Sequence, residues 1–465
     1  MGPQGASRIG EDYPSAGQAK EFKDYLSLEQ NSSTESECPQ NSPSPIKRPS
    51  TVAETGLSEA LLLQLLLKHL RTEHVATVKL LAKLMALSGG IIQSLLAKAK
   101  QLAWVENRPS GVAGQMRYSL SALGISEAEN AFAISGYVGK APIPLALYCQ
   151  MCTQQSSRGI KVTTSLLLER FSKLLFSQRL IDSIGPALNS VKPILIYGLP
   201  GVGKSYLCRH LNLIFGDDVY IPFAIEINNQ IIQVYDPQVH HISEKEEAQD
   251  TLSPELVALE TGYDPRWQLC QRPLIITGGE LTEEMLEVNF DPLNKTYKAP
   301  LQLKANNGIL LLDDLGRQKI TPAQLFNRWI IPLEERRDFL TLSNGVHFEI
   351  PFELLLLFST NLNPSELVDD AFLRRLGYKI EFEPLTLEVY RQLWFRCCQE
   401  YKLGCEEAVF EYLVEQRHYV AQKPFLPCYP RDLLSIVSDQ INYSQSQAVV
   451  SQVLIDFAWK QYFVS

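Results

Sequence analysis

The sequence has little of what marks membrane, secreted or nucleic-acid-coating proteins. No apolar run approaches the roughly 20 residues that a helix needs to cross a bilayer, and the first residues do not form the basic and then apolar segments of a signal peptide. The formal net charge is −9, so the chain is not expected to coat nucleic acid non-specifically. We therefore expect no membrane insertion and a cytoplasmic location.

Cysteine is also sparse. The nine cysteines are odd in number and scattered, which is not the pattern of a disulfide framework. Cys149 and Cys152 form a lone C-x-x-C pair, and neither a second pair nor a nearby histidine completes a tetrahedral metal site. We expect reduced thiols, with this pair packed in a helix.

Composition and periodicity divide the chain into five segments. Residues 1–52 are rich in Ser, Pro, Gln, Glu and Asn and predict a disordered tail. Residues 53–135 predict three helices and a hairpin, the pattern of a winged helix, and residues 136–180 predict a helical connector. Strand and helix patterns alternate over 181–385, which favours a parallel sheet covered by helices, and 386–465 carry helical periodicity for a four-helix lid.

A glycine-rich loop follows the first strong strand of the fourth segment, 181–385. Ile194–Tyr197 read as a buried strand, and the next residues match G-x-x-x-x-G-K-S before a helix that starts at Tyr206. Backbone N–H groups of such a loop surround a phosphate, the lysine reaches the outer phosphates, and the serine hydroxyl binds Mg²⁺. The sequence therefore predicts an ATP and Mg²⁺ site at Gly198, Leu199, Pro200, Gly201, Val202, Gly203, Lys204, Ser205 and Tyr206.

Polar residues follow two further predicted strands. Asp313 and Asp314 come directly after the apolar residues 308–312. We assign Asp313 to Mg²⁺ and Asp314 to the attacking water; the alternative is that the pair only caps a helix. Asn361 follows the strand at 354–358 and would place an uncharged amide near the same water.

The order of these motifs resembles the AAA+ ATPase superfamily over roughly residues 180–465, with some similarity to its MoxR-like branch. The series continues with Asp370-Ala-Phe-Leu-Arg374-Arg375 and Tyr429-Pro-Arg431-Asp-Leu-Leu. The resemblance implies that Asn361 is sensor 1, that Arg431 is sensor 2, and that Arg375 or Arg374 is an arginine finger for a neighbouring subunit. The two arginines could equally be a helix-end cap. Asp314 stands where the family usually has glutamate, which would slow hydrolysis.

An alternating pattern over residues 338–350 has Asn344-Gly345 at its centre and predicts a β-hairpin. It stands just before sensor 1, where the MoxR-like branch carries an insertion. His347 and Phe348 would then contact a substrate, or the hairpin would simply pack on the core.

Together these features predict an α/β P-loop NTPase with a winged-helix-like N-terminal domain and a helical lid. We expect a homo-oligomeric ring, a hexamer by family analogy, that couples ATP hydrolysis to remodelling of a protein client. Two alternatives stay open: an ATP-switched DNA-binding regulator or loader, and a slow or non-hydrolysing ATP-binding scaffold. DNA is not favoured, because the expected recognition helix at 91–102 offers only Lys98 and Lys100 as cations.

Overall fold

The N-terminal module of the computed structural model consists of short helices and a small antiparallel sheet. The structure describes residues 46–108, 116–171, 176–243, 263–367 and 370–463. Ser58, Thr77, Ser88 and Ser121 each accept a backbone N–H at the start of a helix. The elements are α1 (Glu59–Glu73), β1 (Ala76–Thr77), α2 (Val78–Met85), α3 (Gly89–Gln101), β2 (Val105–Arg108), β3 (Arg117–Leu120) and α4 (Ala122–Ile134). The sheet order is β1-β3-β2.

The middle of the chain contains both strands and helices. Its strands are β4 (Ile143–Pro144), β5 (Ile194–Gly198), β6 (Asp218–Pro222), β7 (Ala224–Ile227), β8 (Gln230–Gln233), β9 (Trp267–Gln271), β10 (Leu274–Thr277), β11 (Asn289–Asp291), β12 (Thr296–Lys298), β13 (Ile309–Leu312), β14 (Arg337–Thr341), β15 (His347–Pro351), β16 (Leu355–Thr360) and β17 (Tyr378–Phe382).

The helices among them are α5 (Leu145–Gln154), α6 (Thr164–Arg170), α7 (Gln178–Ser190), α8 (Lys204–His210), α9 (Leu301–Lys304), α10 (Pro322–Glu335), α11 (Pro364–Leu367) and α12 (Asp370–Leu373).

The central sheet is parallel throughout, with the order β10-β13-β16-β5-β17. β13 and β16 are buried along their whole length, as continuous Ile and Leu runs predict for strands covered on both faces. Because the strands are parallel, their carboxyl ends meet at one edge. The loops after β5, β13 and β16 therefore converge there.

Most strands of a second β layer lie between α8 and β13, although β4 precedes that segment and β10 belongs to the central sheet. The layer has one sheet of order β11-β12-β8-β7-β4, and β6 pairs with β9. The predicted hairpin is confirmed as β14 and β15. Leu340, Phe348 and Ile350 of this hairpin are buried in the core of the second layer, whereas His347 is exposed. Packing on the core therefore accounts for Phe348.

The lid consists of helices that pack into the same hydrophobic core as β5 and β17. Trp394 and Leu433 are fully buried in it. The third lid helix starts at Cys428, so Pro430 lies within its first turn. The lid elements are α13 (Leu387–Glu400), α14 (Glu407–Tyr412), a π-helical turn (Leu413–Tyr419), α15 (Cys428–Ser444) and α16 (Gln452–Tyr462).

The predicted tail boundary at residue 52 needs correction, because the described residues from Ile46 onward pack on the body. Lys47 forms a β-bridge with Tyr263, and Arg48 Nη2 donates to Leu87 O at 3.3 Å. The prediction for residues 1–45 lies outside the described residues. A buried ion pair, Asp264–Arg266, is close by, and Arg266 Nη1 also donates to the carbonyls of Thr55 and Pro142.

Within the described ranges, no single helix is long and apolar enough to span a membrane. α2 and α3 pass that test only as a pair, and they are bent by 110° relative to each other.

Candidate nucleotide-binding site

The glycine-rich loop connects β5 to α8. Gly201 and Gly203 have φ values of +85° and +95°, in the region that side chains disfavour. Gly203 is the N-cap of α8, which places Lys204, Ser205 and Tyr206 in the first turn of that helix. The helix thus directs its positive end at the loop, as phosphate binding requires.

Lys204 is the most constrained side chain of the loop. Its Nζ donates to Gly198 O at 2.8 Å, to Leu199 O at 2.9 Å and to Asn361 Oδ1 at 2.7 Å. Only 6% of the residue is exposed. Burial lowers the pKa of Lys204, while Asp313 and Asp314 oppose that shift.

The carboxylates after β13 face the loop. Ser205 Oγ donates to Asp313 Oδ2 at 2.6 Å, and Asn361 Nδ2 donates to Asp314 Oδ1 at 2.8 Å. The Asn361 amide therefore links Lys204 to Asp314 through its two polar atoms. The structure thus brings together all of the loop, carboxylate and amide residues that the sequence singled out.

The Ser205–Asp313 pair has the chemistry of a magnesium site. A hydroxyl and a carboxylate oxygen are hard ligands, which Mg²⁺ prefers, usually while it keeps several waters. The two oxygens already lie 2.6 Å apart, beside the lysine that is predicted to bind phosphate. The residues therefore fit the ion.

The backbone around Asp314 explains why a short acid suits this position. Asp314 has φ +52°, a left-handed conformation that Asp and Asn tolerate better than longer side chains. Leu315 N donates to Ser359 O at 2.7 Å, and Gln318 Nε2 donates to Asp313 O at 2.8 Å, which fixes the turn. Sequence reasoning missed Gln318, because no motif marks it.

The lid touches the loop directly. A Cβ atom added to Gly201 would lie 2.5 Å from Cys428 Sγ, so α15 begins against the phosphate loop. Arg431 is one turn further along this helix, and its guanidinium is 3.4 Å from the Glu400 carboxylate. Cys428 and Glu400 were both missed from the sequence, because the contacts join distant segments.

Arg374 and Arg375 lie away from this constellation. They precede β17, so they are at the amino-terminal edge of the sheet, whereas the phosphate loop follows the carboxyl end of β5. Arg375 Nε pairs with Glu334 Oε1 at 2.6 Å. Neither arginine can therefore reach the phosphate loop of its own chain.

Comparisons with known proteins give one family match and several distant structural ones. Residues 386–461 match a family model described as "Domain of unknown function (DUF8689)". No curated protein matches the chain.

Solved structures with partial similarity include two of RuvB from Thermotoga maritima. One is a point mutant, with 12% identity and a TM-score of 0.38, and the match covers 63% of this chain and 71% of the RuvB chain. The other is titled a Holliday junction branch migration motor, with 12% identity and a TM-score of 0.34, and the match covers 64% of this chain and 70% of the RuvB chain. A third is NtrX from Brucella abortus, with 12% identity and a TM-score of 0.39, and the match covers 65% of this chain and 60% of the NtrX chain.

The topology of this chain identifies its fold. The loop strand β5 lies between β16 and β17, and β16 separates it from the acidic strand β13. The sheet is followed by a helical lid whose third helix abuts the phosphate loop. This α/β arrangement is a P-loop NTPase fold, and it resembles the AAA+ fold.

Proposed function

We propose that this chain binds Mg-ATP at the loop between β5 and α8 and hydrolyses it. One observation carries the proposal: Lys204, Asn361 and Asp314 form a continuous hydrogen-bonded chain beside the Ser205–Asp313 pair. A phosphate-binding cation, a metal-binding pair and a carboxylate for water are therefore adjacent. Such a set serves phosphoryl transfer, in which catalysis consists mainly of positioning and charge stabilisation.

Each side chain has a distinct role in that reaction. Lys204 would exchange its contacts with the Gly198 and Leu199 carbonyls for the β- and γ-phosphate oxygens. Asn361 holds Asp314 through Oδ1, and the other carboxylate oxygen would accept a proton from the attacking water. Mg²⁺, held by Ser205 and Asp313, would supply neutralisation of the phosphate charge.

The separation of the arginines from the loop of their own chain supports a role for assembly. Arg375 or Arg374 would act on nucleotide bound by a neighbouring copy, so turnover would depend on an oligomer. By family analogy this oligomer would be a hexameric ring. Arg431 would report nucleotide from the lid, because its helix begins on the loop.

We propose a protein client, recruited by the winged-helix-like module, as the target of remodelling. DNA is the less favoured partner, because α3 carries two lysines over its fully described length, and one of them, Lys100, lies over the Tyr118 ring at 4.7 Å. Few phosphate contacts would remain for a duplex. Retention on a duplex that falls steeply between about 50 and 200 mM salt would reverse this preference.

Nucleotide binding by Lys204→Ala tests the proposal. The variant should lose most of its affinity for Mg-ATP in equilibrium dialysis, whereas Lys402→Ala, an exposed lysine of the lid, should bind like the wild type. Equal ATP affinity in Lys204→Ala and the wild type would overturn the assignment of the loop.

A further inference from the structure

The turn after the first lid helix brings two cysteines together. Leu403 N donates to Cys398 O at 2.8 Å and Lys402 N donates to Gln399 O at 3.0 Å, while Lys402 has φ +55°. These features form a Schellman motif, which reverses the chain at the end of α13. Cys405 therefore returns to that helix, where the Cys398 thiol donates a hydrogen bond to the Cys405 sulfur.

The residue before Cys405 is held on its other side as well. Gly404 N donates to Ala448 O at 2.9 Å, and Val450 N donates to Gly404 O at 2.7 Å. Gly404 thus forms a β-bridge with the segment that precedes α16. The backbone on both sides therefore holds the two sulfurs within hydrogen-bond distance of each other.

The surroundings of Cys405 stabilise its thiolate. Trp394 Nε1 donates to Cys405 Sγ at 3.4 Å. The hydrogen bond from Cys398 lowers the pKa of Cys405 against the effect of burial, and the bond from Trp394 adds to that lowering. The Glu406 and Glu407 carboxylates act in the opposite direction, but the pKa remains below that of an ordinary cysteine. Cys405 therefore has an increased thiolate fraction at neutral pH.

The two thiols differ in their access to solvent. Every cysteine of the described residues is a free thiol. Cys405 is half-buried, whereas Cys398 is only 3% exposed. Donation to Cys405 and burial both raise the pKa of Cys398. A reagent from solvent thus meets the Cys405 thiolate first, with a protonated second thiol behind it, and this arrangement is typical of cysteines that react with peroxides.

We propose that Cys405 and Cys398 form an oxidation site for hydroperoxides, which converts the pair into a disulfide within the lid. This inference goes beyond the proposed function and does not depend on it, because no nucleotide takes part.

The reaction with hydrogen peroxide has two steps. The Cys405 sulfur attacks one peroxide oxygen, the O–O bond breaks, and the leaving oxygen takes up a proton, so that Cys405 becomes a sulfenic acid. The Cys398 sulfur then attacks the Cys405 sulfur, the S–O bond breaks, and hydroxide leaves with the Cys398 proton as water. The two thiols lose two electrons and two protons, and the peroxide is reduced to two waters.

Peptide mapping of the intact chain after treatment with hydrogen peroxide tests the proposal. Trypsin cleaves after Lys402, between the two cysteines. Once free thiols are blocked, the disulfide should join peptide 397–402 to peptide 403–417, and a thiol reductant should separate them. Unlinked peptides, with Cys405 either still reduced or oxidised further to sulfinic acid, would overturn the proposal.

Cys397 provides a matched control, because it lies in the same tryptic peptide as Cys398 and is similarly buried, at 2% exposed. Cys397→Ser should form the linked peptides as the wild type does. Cys398→Ser should stop at the sulfenic acid, which dimedone traps on Cys405. A link that survives Cys398→Ser or disappears in Cys397→Ser would assign the second thiol to Cys397 and overturn the pairing.

The rate at which iodoacetamide alkylates Cys405 as a function of pH tests the stabilised thiolate. The midpoint of this profile in the wild type should lie below the value of about 8.5 for an unperturbed cysteine. Cys398→Ala removes the thiol donor and should raise the midpoint, whereas Cys397→Ala should not change it. A wild-type midpoint at or above about 8.5, or equal midpoints in the two alanine variants, would overturn the assignment of Cys405 as the attacking thiol.

Discussion

Comparison of Gly201→Ala with Gly203→Ala separates two constraints on the phosphate loop, which are the positive φ of both glycines and the close contact of Gly201 with the lid. Gly201 and Gly203 both have positive φ, so alanine at either position is strained by about 1–2 kcal/mol. At Gly203 the new methyl would have no atom within 4 Å, whereas at Gly201 it would lie 2.5 Å from Cys428 Sγ. Overpacking of this kind costs about 1–3 kcal/mol more. Gly201→Ala should therefore destabilise the chain by about 2–5 kcal/mol, and Gly203→Ala by only about 1–2.

A double variant tests the contact itself. Once Cys428 is alanine, the nearest atoms to the new methyl would be Cys428 Cβ at 3.5 Å and Leu426 Cδ1 at 3.7 Å, which are ordinary contacts. Cys428→Ala should therefore recover about 1–3 kcal/mol in the Gly201→Ala background and nothing in the Gly203→Ala background. The assay is the free energy of unfolding from urea titration of the intact chain. Equal costs for the two glycine variants, or no coupling with Cys428, would refute the contact between lid and loop.

Three further predictions follow from other contacts. Asp264→Asn leaves the buried Arg266 guanidinium without its carboxylate partner. The free energy of unfolding from the same urea titration should therefore fall by about 3–5 kcal/mol, and a fall of less than about 1 kcal/mol would contradict this. Burial lowers the pKa of His418 to about 4 in the folded chain, so the imidazole binds a proton more tightly in the unfolded chain. The free energy of unfolding should therefore fall by on the order of 2–3 kcal/mol as pH falls from about 6.5 to about 4. His418→Gln should lose less stability over that range, and an equally steep loss would assign the effect elsewhere. Asn361→Ala removes the side chain that hydrogen-bonds both Lys204 and Asp314. ATP turnover should fall by about 10²-fold or more while ATP affinity changes little. A loss of affinity without a loss of turnover at saturating ATP would exclude a role of Asn361 in positioning the attacking water.

The fold could be predicted where periodicity and chemistry coincide. Continuous apolar runs such as 309–312 and 355–358 predicted buried parallel strands, and Asn344-Gly345 predicted the hairpin of β14 and β15. The second β layer could not be predicted in the same way. Two of its pairings, β4 with β7 and β8 with β12, join distant segments, and no local pattern encodes such partners.

The candidate site was predictable residue by residue but not as an arrangement. The loop, Asp313, Asp314 and Asn361 each follow a strand, and parallel strands bring such residues to one edge. The contact of Cys428 with Gly201 joins segments more than 200 residues apart and has no sequence signature.

The most direct test of the central claim is steady-state ATP hydrolysis as a function of protein concentration, for the wild type and for Asp314→Asn. We predict that turnover per chain rises with concentration in the wild type, because the proposed role of the arginines is to act on a neighbour's nucleotide. It should be lost in Asp314→Asn, because the amide cannot take the proton of the attacking water. Turnover that is independent of concentration, or that survives the substitution, would contradict an assembly-dependent ATPase with Asp314 as its base.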